Sequence, residues 1–338
     1  MSDIVGKFGR KRGKMNKIAA LYWVSVILFF PSSLRAAKMP HEVQQKSQKY
    51  FFSYEVEIPA VAADSKKRIS LWIPYPKEDD YQKVLKFRKK LPWPVRLTQE
   101  SKYGNKIIFT RGFTSLKPQR FTFEFEIERF PSFGAKKEEP FSQPSLYLNP
   151  DRLVPFFPEI EAIAKAEAKD TKKPSEKIRV FYDYVVKTMA YDKRGEGWGH
   201  GDAVWACQAK RGNCTDFHSL FIAMSRTQKI PARFEMGVPI PSDLNEGEIP
   251  GYHCWAEAYA DDLEKWIPID ATEAKKSGKA EEYFGKLPNN RILFSQGRDI
   301  VLNPAQKGEP LNYFIYPYAE LDGKEFREIK KVFYFKKI

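Results

Sequence analysis

The first half of the chain alternates apolar and polar residues at every second position in several short stretches. This period predicts β-strands, because successive side chains of a strand point to opposite faces of its sheet. The stretches, rich in aromatic or β-branched residues, are 50–58, 69–73, 106–110 and 121–127. A segment rich in Pro, Ser, Lys and Glu follows at 131–144 and indicates a linker. We therefore predict an N-terminal β domain over residues 38–145.

Beyond this segment the apolar residues recur at helical steps of three and four positions. The pattern predicts helices over 159–168 and 175–189, and a third that follows Asn213 and ends before Pro231. The apolar positions of that third helix are Phe217, Leu220, Phe221 and Met224. Short aromatic strands at 313–316 and 332–335 close the chain, and they could extend the core sheet. The expected class is α+β, with a core over 146–300 and a C-terminal β extension over 301–338.

Cys214 stands at the start of the third predicted helix, directly after a Gly-Asn pair. With Asn213 as the N-cap, Cys214 is the first helical residue, and Asp216 is the third, where an acid can reach back to the cap. The sulfur then lies near unpaired backbone N–H groups and the positive end of the helix dipole, which favour thiolate over thiol. A free cysteine is also a common buried packing residue, so position alone leaves both roles open.

Two strands further along predict a hairpin that carries a histidine and an aspartate. The strands are 251–259 and 266–270, and a loop over 261–264 joins them. Because side chains alternate along a strand, His253 and Trp255 share a face, and this loop length places Asp270 opposite Trp255 and diagonal to His253. Cys214, His253 and Asp270 would supply a nucleophile, a general base and an acid that orients the base.

The segments around these three residues resemble a known family of bacterial proteins. They are RGNCTDFHSLF (211–221), IPARFEMG (230–237), YHCWAE (252–257) and WIPIDATEA (266–274), which look like the transglutaminase-like superfamily. The resemblance covers roughly residues 180–300. It implies a papain-like core, with the cysteine helix packed on an antiparallel sheet, and a Cys-His-Asp triad at Cys214, His253 and Asp270. The segments 199–202, 283–285 and 297–299 look like a periplasmic or secreted branch.

His218 is a rival for the role of base, because it follows Cys214 by four residues and shares its helical face. Side chains on one helix leave little room for a substrate between them, and they lean toward the helix N-terminus. Together with the resemblance, this favours His253 as the base. We expect His218 to support the site or to pack behind it.

The candidates for supporting roles are less specific. The backbone N–H of Cys214 is the first expected oxyanion donor, and Gln208 or Trp205 could supply a second. Gln208 precedes the thiol by six residues, a spacing that resembles papain-like proteases. The alternative is that Gln208 is an ordinary surface residue with no catalytic role. Trp205 and Trp255 belong to a group of tryptophans that could wall a water-excluding cleft or simply pack in the core.

Three cysteines are an odd number for an exported chain, so at least one thiol is unpaired or joined to another molecule. Cys214 is the candidate for the free thiol. Cys207 and Cys254 could form a disulfide beside the site, or Cys254 could pack in the core, since it alternates away from His253. No metal-ligand spacing or calcium-binding loop appears, and we expect neither a metal nor a cofactor.

The N-terminal 37 residues have the layout of a signal peptide. Basic residues at 11, 12, 14 and 17 precede an apolar run over 18–30 that contains one serine and no charge. At 13 residues the run is short for a membrane span, which needs ~20. We therefore expect cleavage near Ala36 or Ala37 and export to the periplasm or the extracellular space. An uncleaved N-terminal membrane anchor is the alternative.

The net charge of +14 invites a nucleic-acid interpretation, which the distribution of charge disfavours. Residues 1–37 carry seven Lys/Arg against one acid, so they account for +6 and leave about +8 on the rest. The remaining basic residues are dispersed and mostly adjoin acids, as a solvated surface requires. We expect no nucleic-acid partner, although an anionic envelope component could be attracted weakly.

The first functional hypothesis is an exported thiol enzyme that acts on amide bonds of a protein or peptide, which could be an envelope component, through a thioester. Resolution by water makes it a protease or amidase, and resolution by an amine makes it a transglutaminase. Hydrolysis is slightly favoured, because it needs no second substrate pocket. The second hypothesis is a catalytically silent binding or assembly module that retains the fold, with the β domain as its working surface. The complete set of triad residues argues against it.

Overall fold

The structure is a computed structural model that describes residues 46–62, 66–134 and 143–338. The predicted signal peptide and its cleavage site lie outside these residues, as does most of the predicted linker. Within the described part of the chain, no helix is long and apolar enough to cross a membrane.

The period-two stretches of the first half build two antiparallel sheets. In the first sheet, β1 (Gln48–Ile58) pairs with β6 (Gln119–Arg129), which pairs with β3 (Gln82–Lys90). Every second residue of β1 and β6 is buried, from Tyr50 to Ile58 and from Phe121 to Ile127. The outer face of this sheet carries ion pairs such as Lys86 of β3 with Glu126 of β6, which contribute little to stability at such exposure.

The second sheet pairs β2 (Arg68–Pro74) with β5 (Lys106–Phe113), and β5 pairs in turn with β4 (Val95–Gln99). The four strands predicted in this half are confirmed within a few residues at each end. β3 and β4 were not predicted, because lysines and arginines interrupt their alternation. These residues are tolerated because both strands lie at sheet edges, where exposed charge also discourages pairing with other chains.

The C-terminal strands join these two sheets and not the sheet of the core. β16 (Lys330–Lys337) pairs with β1 on one side and with β10 (Glu246–Ile249) on the other, while β14 (Tyr318–Leu321) pairs with β2 and with β15 (Lys324–Glu325). The expectation that the last strands extend the core sheet is therefore wrong. Burial explains the placement, since Phe333 and Phe335 are buried in the same hydrophobic core as Phe52 and Tyr54 of β1.

The strand predicted at 313–316 is also wrong, because this segment is irregular. Two consecutive residues, Phe314 and Ile315, are buried, which a half-exposed strand would not allow. Their carbonyl oxygens accept hydrogen bonds from side chains and not from a neighbouring strand. Ser295 Oγ donates to Phe314 and Tyr54 Oη donates to Ile315.

The middle of the chain forms a helical layer on a third sheet. The helices are α1 (Pro158–Glu167), α2 (Pro174–Thr188), α3 (Ala203–Ala209), α4 (Cys214–Thr227) and α5 (Ala271–Ser277). The sheet has the order β12 (Lys265–Ile269), β11 (His253–Ala260), β9 (Ala232–Pro239) and β13 (Arg291–Gln296), all antiparallel. Two short strands, β7 (Ala190–Tyr191) and β8 (Arg211–Gly212), pair in parallel, and β8 directly precedes α4.

α4 is the central helix of this layer, and it contacts β9, β11 and all four other helices. All of its residues from Cys214 to Arg226 are buried, so the helix is enclosed on every side. The predicted class, an α+β fold with a cysteine helix on an antiparallel sheet, is confirmed. The domain boundaries at 145 and 300 stay predictions.

Candidate active site

Cys214 is the first residue of α4, and Asn213 caps the helix as its sequence predicts. Asn213 Oδ1 accepts hydrogen bonds from the backbone N–H of Thr215 at 2.9 Å and from its hydroxyl at 2.5 Å. Asp216 Oδ2 accepts in return from the backbone N–H of Asn213 at 2.8 Å. This reciprocal cap fixes the first turn, so the thiol of Cys214 is held at the positive end of the helix dipole.

Asp216 also fixes the loop that precedes the site. Its two carboxylate oxygens accept from the backbone N–H groups of Gly199 and Gly201, at 2.7 and 2.9 Å. Gly212 has a φ of +144°, and a Cβ there would lie 2.3 Å from Asp216 Oδ2, so glycine is required before the cap. Arg298 holds the same loop from behind, donating to the carbonyl oxygen of Gly201 at 2.7 Å.

The hairpin brings His253 and Asp270 together in the predicted register. β11 and β12 are joined by residues 261–264, and Ala256 faces Ile269, which places Trp255 opposite Asp270. His253 Nε2 lies 2.6 Å from Asp270 Oδ2, which leaves the other ring nitrogen, Nδ1, for Cys214. A side-chain hydrogen bond joins the thiol of Cys214 to this imidazole. The three predicted triad residues therefore form one continuous chain.

Asp270 is completely buried and holds several partners besides His253. Its Oδ2 accepts from Arg291 Nη1 at 3.0 Å, and its Oδ1 accepts from the backbone N–H of Glu273 at 3.0 Å, which caps α5. Burial alone would raise the pKa of Asp270, but His253, Arg291 and His218 together hold it well below its usual range. The carboxylate is ionised and fixed at neutral pH.

The electrostatics favour a thiolate beside an imidazolium. Burial disfavours the charged form of His253, yet Asp270 and Cys214 raise its pKa to about 10. A hydrogen bond from Cys254 lowers the pKa of Cys214, burial opposes this, and His253 lowers it again, so the thiol ionises well below its usual range. Cys214 and His253 are 5% and 7% exposed, so each side chain keeps a small solvent-accessible area. A thiolate with an adjacent acid is the arrangement that acyl transfer needs.

His218 lies on the inner side of the site, where it contacts Cys254. Its Nε2 accepts from the backbone N–H of Ala271 at 3.2 Å, and its Nδ1 lies 3.5 Å from Cys254 Sγ. Burial lowers the pKa of His218 to about 4, so the ring is neutral and its proton is on Nδ1. The sequence did not associate Cys254 with the reactive thiol. The consecutive residues His253 and Cys254 are therefore both hydrogen-bond partners of Cys214.

The other predicted supporting residues differ in how deeply they are buried. Trp255 is buried, with its ring centroid 6.2 Å from that of His253. Trp205 is half-buried on α3 and covers Gly197, where a Cβ would lie 2.4 Å from the indole nitrogen. Gln208 is exposed on the same helix. Cys207, Cys214 and Cys254 are all free thiols, so the alternative of a disulfide between Cys207 and Cys254 is not realised.

Three tyrosines that no sequence pattern indicates form a cluster beside the residue that precedes Cys214. Tyr252 Oη accepts from Asn213 Nδ2 at 3.1 Å. The Tyr252 ring contacts those of Tyr313 and Tyr316, with centroids 5.5 and 5.9 Å away. Tyr252 could have been suspected because it directly precedes His253. Nothing local indicates Tyr313 or Tyr316, which come from a distant part of the chain.

Comparison with known proteins finds one matching family model. Residues 161–271 match the core of the Transglutaminase-like superfamily, and this segment contains Cys214, His253 and Asp270. This match is the one that the motifs of the sequence predicted.

A protein of Haemophilus influenzae, described as uncharacterized, is 26% identical over 322 residues, which cover 80% of this chain and 85% of the relative. A candidate cysteine protease from Cytophaga hutchinsonii has a similar structure, with a TM-score of 0.60 at 14% identity, over 87% of this chain and 91% of that one. The periplasmic domain of TgpA from Pseudomonas aeruginosa is more distant, with a TM-score of 0.36 at 12% identity over 69% and 89% of the two chains. The Cytophaga structure extends the shared fold well beyond residues 161–271.

Proposed function

We propose that the protein is an exported thiol enzyme that cleaves or exchanges amide bonds, with Cys214 as nucleophile, His253 as general acid and base, and Asp270 as the residue that orients the imidazole. The observation that carries the proposal is the hydrogen-bond chain from Cys214 through His253 to Asp270 at the N-terminus of a buried helix. A packing cysteine would need neither the ionised partner nor any solvent-accessible area.

The reaction begins with attack of the Cys214 thiolate on the carbonyl carbon of the substrate amide. A C–S bond forms, and the carbonyl electron pair moves to oxygen, giving a tetrahedral oxyanion. Collapse of this intermediate breaks the C–N bond, and His253 delivers its proton to the leaving amine. The product is a thioester on Cys214 and a neutral imidazole.

Water or a second amine then resolves the thioester, and neutral His253 removes a proton from whichever enters. Water returns a carboxylic acid and makes the enzyme a protease or amidase. An amine forms a new amide and makes it a transglutaminase. Hydrolysis is the outcome we propose first, because it requires no second specific pocket for an acceptor.

The remaining residues of the site are proposed as supports. Neutral His218 positions Cys254, Trp255 packs beside the imidazole, and Trp205 walls the approach from α3. The backbone N–H of Cys214 is the first oxyanion donor. For Gln208, exposed on α3, the proposed oxyanion role would require a movement toward the thiol on substrate binding.

The proposed substrate is a protein or peptide, and the proposed location is the periplasm or the extracellular space. The location rests on the basic residues and apolar run at the N-terminus, which have the layout of a cleaved export signal. Cell fractionation with N-terminal sequencing of the mature protein tests this. A mature chain that begins near residue 37 is expected, whereas an intact N-terminus in the membrane fraction would indicate the anchored alternative.

The enzymatic proposal is tested by the reactivity of Cys214 and by its requirement for turnover. We expect iodoacetamide at neutral pH to alkylate Cys214 at least about tenfold faster than an ordinary exposed thiol, because the thiolate is already formed. Incubation with envelope extract and a fluorescent primary amine should give protein fragments if water resolves the thioester, and labelled protein if an amine does.

The Cys214→Ala variant should abolish both products, and Cys207→Ala is the matched control, since it removes a buried thiol away from the triad. The enzymatic proposal would be refuted if Cys214 were alkylated no faster than an ordinary thiol and Cys214→Ala retained full function. That result would favour the catalytically silent module.

A further inference from the structure

A tyrosine hydroxyl beside the site is not used by the proposed triad. Tyr252 is half-buried directly before His253, and its Oη is held by Asn213, the residue directly before Cys214. Tyr252 is therefore adjacent to His253 in the chain, and its hydroxyl is hydrogen-bonded to the residue adjacent to Cys214.

The orientation of the Asn213 amide determines what the Tyr252 hydroxyl can do. Asn213 Oδ1 is occupied by two donors from Thr215, its N–H and its hydroxyl, so the amide nitrogen must be the atom that faces Tyr252. Tyr252 Oη accepts that hydrogen bond. Its own proton remains available, and in the free protein the hydroxyl of Tyr313 is the neighbouring partner.

The phenol stays protonated while it faces negative charge. Burial raises the pKa of Tyr252 well above its usual value, and the charge of Cys214 raises it further. A neutral O–H group close to a thiolate is suited to donate a hydrogen bond where an oxyanion develops, without giving up its proton.

We infer that Tyr252 is the second oxyanion donor of this site, and that it turns from Tyr313 to the carbonyl oxygen of the substrate as the tetrahedral intermediate forms. The inference rests on the proposed function, because an oxyanion requires attack by Cys214. The backbone N–H of Cys214 and the Tyr252 hydroxyl then bind the oxyanion from two directions. No bond to Tyr252 forms or breaks in this step, and its proton remains on the phenol.

The test separates formation of the oxyanion from reactivity of the thiolate. Acylation by p-nitrophenyl acetate passes through a tetrahedral oxyanion, whereas alkylation by iodoacetamide does not. Tyr252→Phe keeps the ring and removes only the hydroxyl. We expect its acylation burst to slow by about 100-fold, as for loss of one oxyanion donor, while its alkylation rate stays within about twofold of the wild type.

Tyr313→Phe is the matched control, because it removes one hydroxyl from the same tyrosine cluster. Its acylation rate should remain within about threefold of the wild type. A parallel fall of acylation and alkylation in Tyr252→Phe would mean that Tyr252 acts through the thiolate, and would overturn the inference. Loss of acylation in Tyr313→Phe with none in Tyr252→Phe would overturn it as well.

A second variant covers the case in which Tyr252→Phe fails to fold. Asn213→Ser retains a helix-capping oxygen but withdraws the amide that holds Tyr252. Its acylation should slow by about tenfold with alkylation nearly unchanged, because a misplaced donor binds the oxyanion poorly. If wild-type Cys214 is neither acylated nor rapidly alkylated, the proposed function itself fails. Rapid acylation of the wild type that Tyr252→Phe and Asn213→Ser fully retain would refute only the role of Tyr252.

Discussion

Two histidines on opposite sides of Cys214 lie near the same carboxylate, that of Asp270, but they differ in charge. On the outer side, His253 Nε2 lies 2.6 Å from Asp270 Oδ2, and its pKa is raised to about 10. On the inner side, His218 Nε2 lies 3.7 Å from Asp270 Oδ1, and its pKa is lowered to about 4. One ring is an imidazolium at neutral pH and the other is neutral.

The difference teaches that hydrogen bonding, and not proximity to a carboxylate alone, decides the charge of a buried histidine. Both nitrogens of His253 bond to anionic groups, Asp270 and Cys214, so the protonated ring is favoured. His218 Nε2 accepts from the backbone N–H of Ala271 and cannot carry a proton there. Burial then outweighs the charges of Asp270 and Cys214, which favour the protonated form, and keeps that ring neutral. In the proposed reaction the outer histidine exchanges protons with the substrate, whereas the inner histidine contacts Cys254 and Ala271.

The largest expected effect comes from replacing the outer histidine. His253→Asn should reduce acyl transfer by about 1000-fold or more, because it removes the proton carrier of the proposed reaction. It should also return the pKa of Cys214 toward the ordinary thiol value of ~8.5, because the imidazolium no longer stabilises the thiolate. Rates of p-nitrophenyl acetate hydrolysis and pH-dependent alkylation measure the two effects.

The same substitution on the inner side is the matched control. His218→Asn should keep acyl transfer within about tenfold and lower the free energy of unfolding by about 1–3 kcal/mol, because buried groups of Ala271 and Cys254 lose their partner. Urea denaturation measures the stability change. If His218→Asn abolished turnover and His253→Asn retained it, the assignment of the base would be reversed.

A smaller effect is expected from pH. Because the pKa of Cys214 lies below and that of His253 above their ordinary values, the thiolate–imidazolium pair persists across neutral pH. Acyl transfer to Cys214 should stay level to about pH 9 and fall above about pH 10, where His253 loses the proton that the leaving group needs. Stopped-flow acylation by a peptide anilide, whose leaving nitrogen must gain a proton, tests it across this range. An acid limb near the pKa of a free thiol would contradict the ion pair.

The smallest effect is expected at Cys254, on the inner side. Its hydrogen bond is the leading cause of the low pKa of Cys214, so Cys254→Ala should raise that pKa and slow alkylation at about pH 6 by roughly threefold to tenfold. Cys207→Ala should leave the rate unchanged. An unaltered rate in Cys254→Ala would assign the whole depression of the pKa to His253 and the helix terminus.

Features that depend on short stretches of chain were predictable. Asn213 caps α4 because an amide oxygen at that position reaches the N–H of Thr215 two residues later. Asp270 lies opposite Trp255 because a four-residue loop leaves only one register for the hairpin. Both predictions needed only local backbone geometry.

Features that depend on distant contacts were not predictable in the same way. Arg291 reaches Asp270 from another strand, and Tyr313 reaches Tyr252 from an irregular segment that the alternation had suggested to be a strand. The last strand was expected beside the core sheet, yet it pairs with β1, because its buried phenylalanines complete the core beneath that sheet.

The amino-acid order alone determined the helix start and the hairpin, since each follows from capping and side-chain periodicity. The three candidate catalytic side chains were implied by the family resemblance of the surrounding motifs. Only the tertiary structure decided which histidine is charged, that Cys254 bonds the reactive thiol, and that the Tyr252 hydroxyl contacts the residue before that thiol. The reason is physical, because protonation of a buried group depends on desolvation and on partners brought from remote positions in the chain.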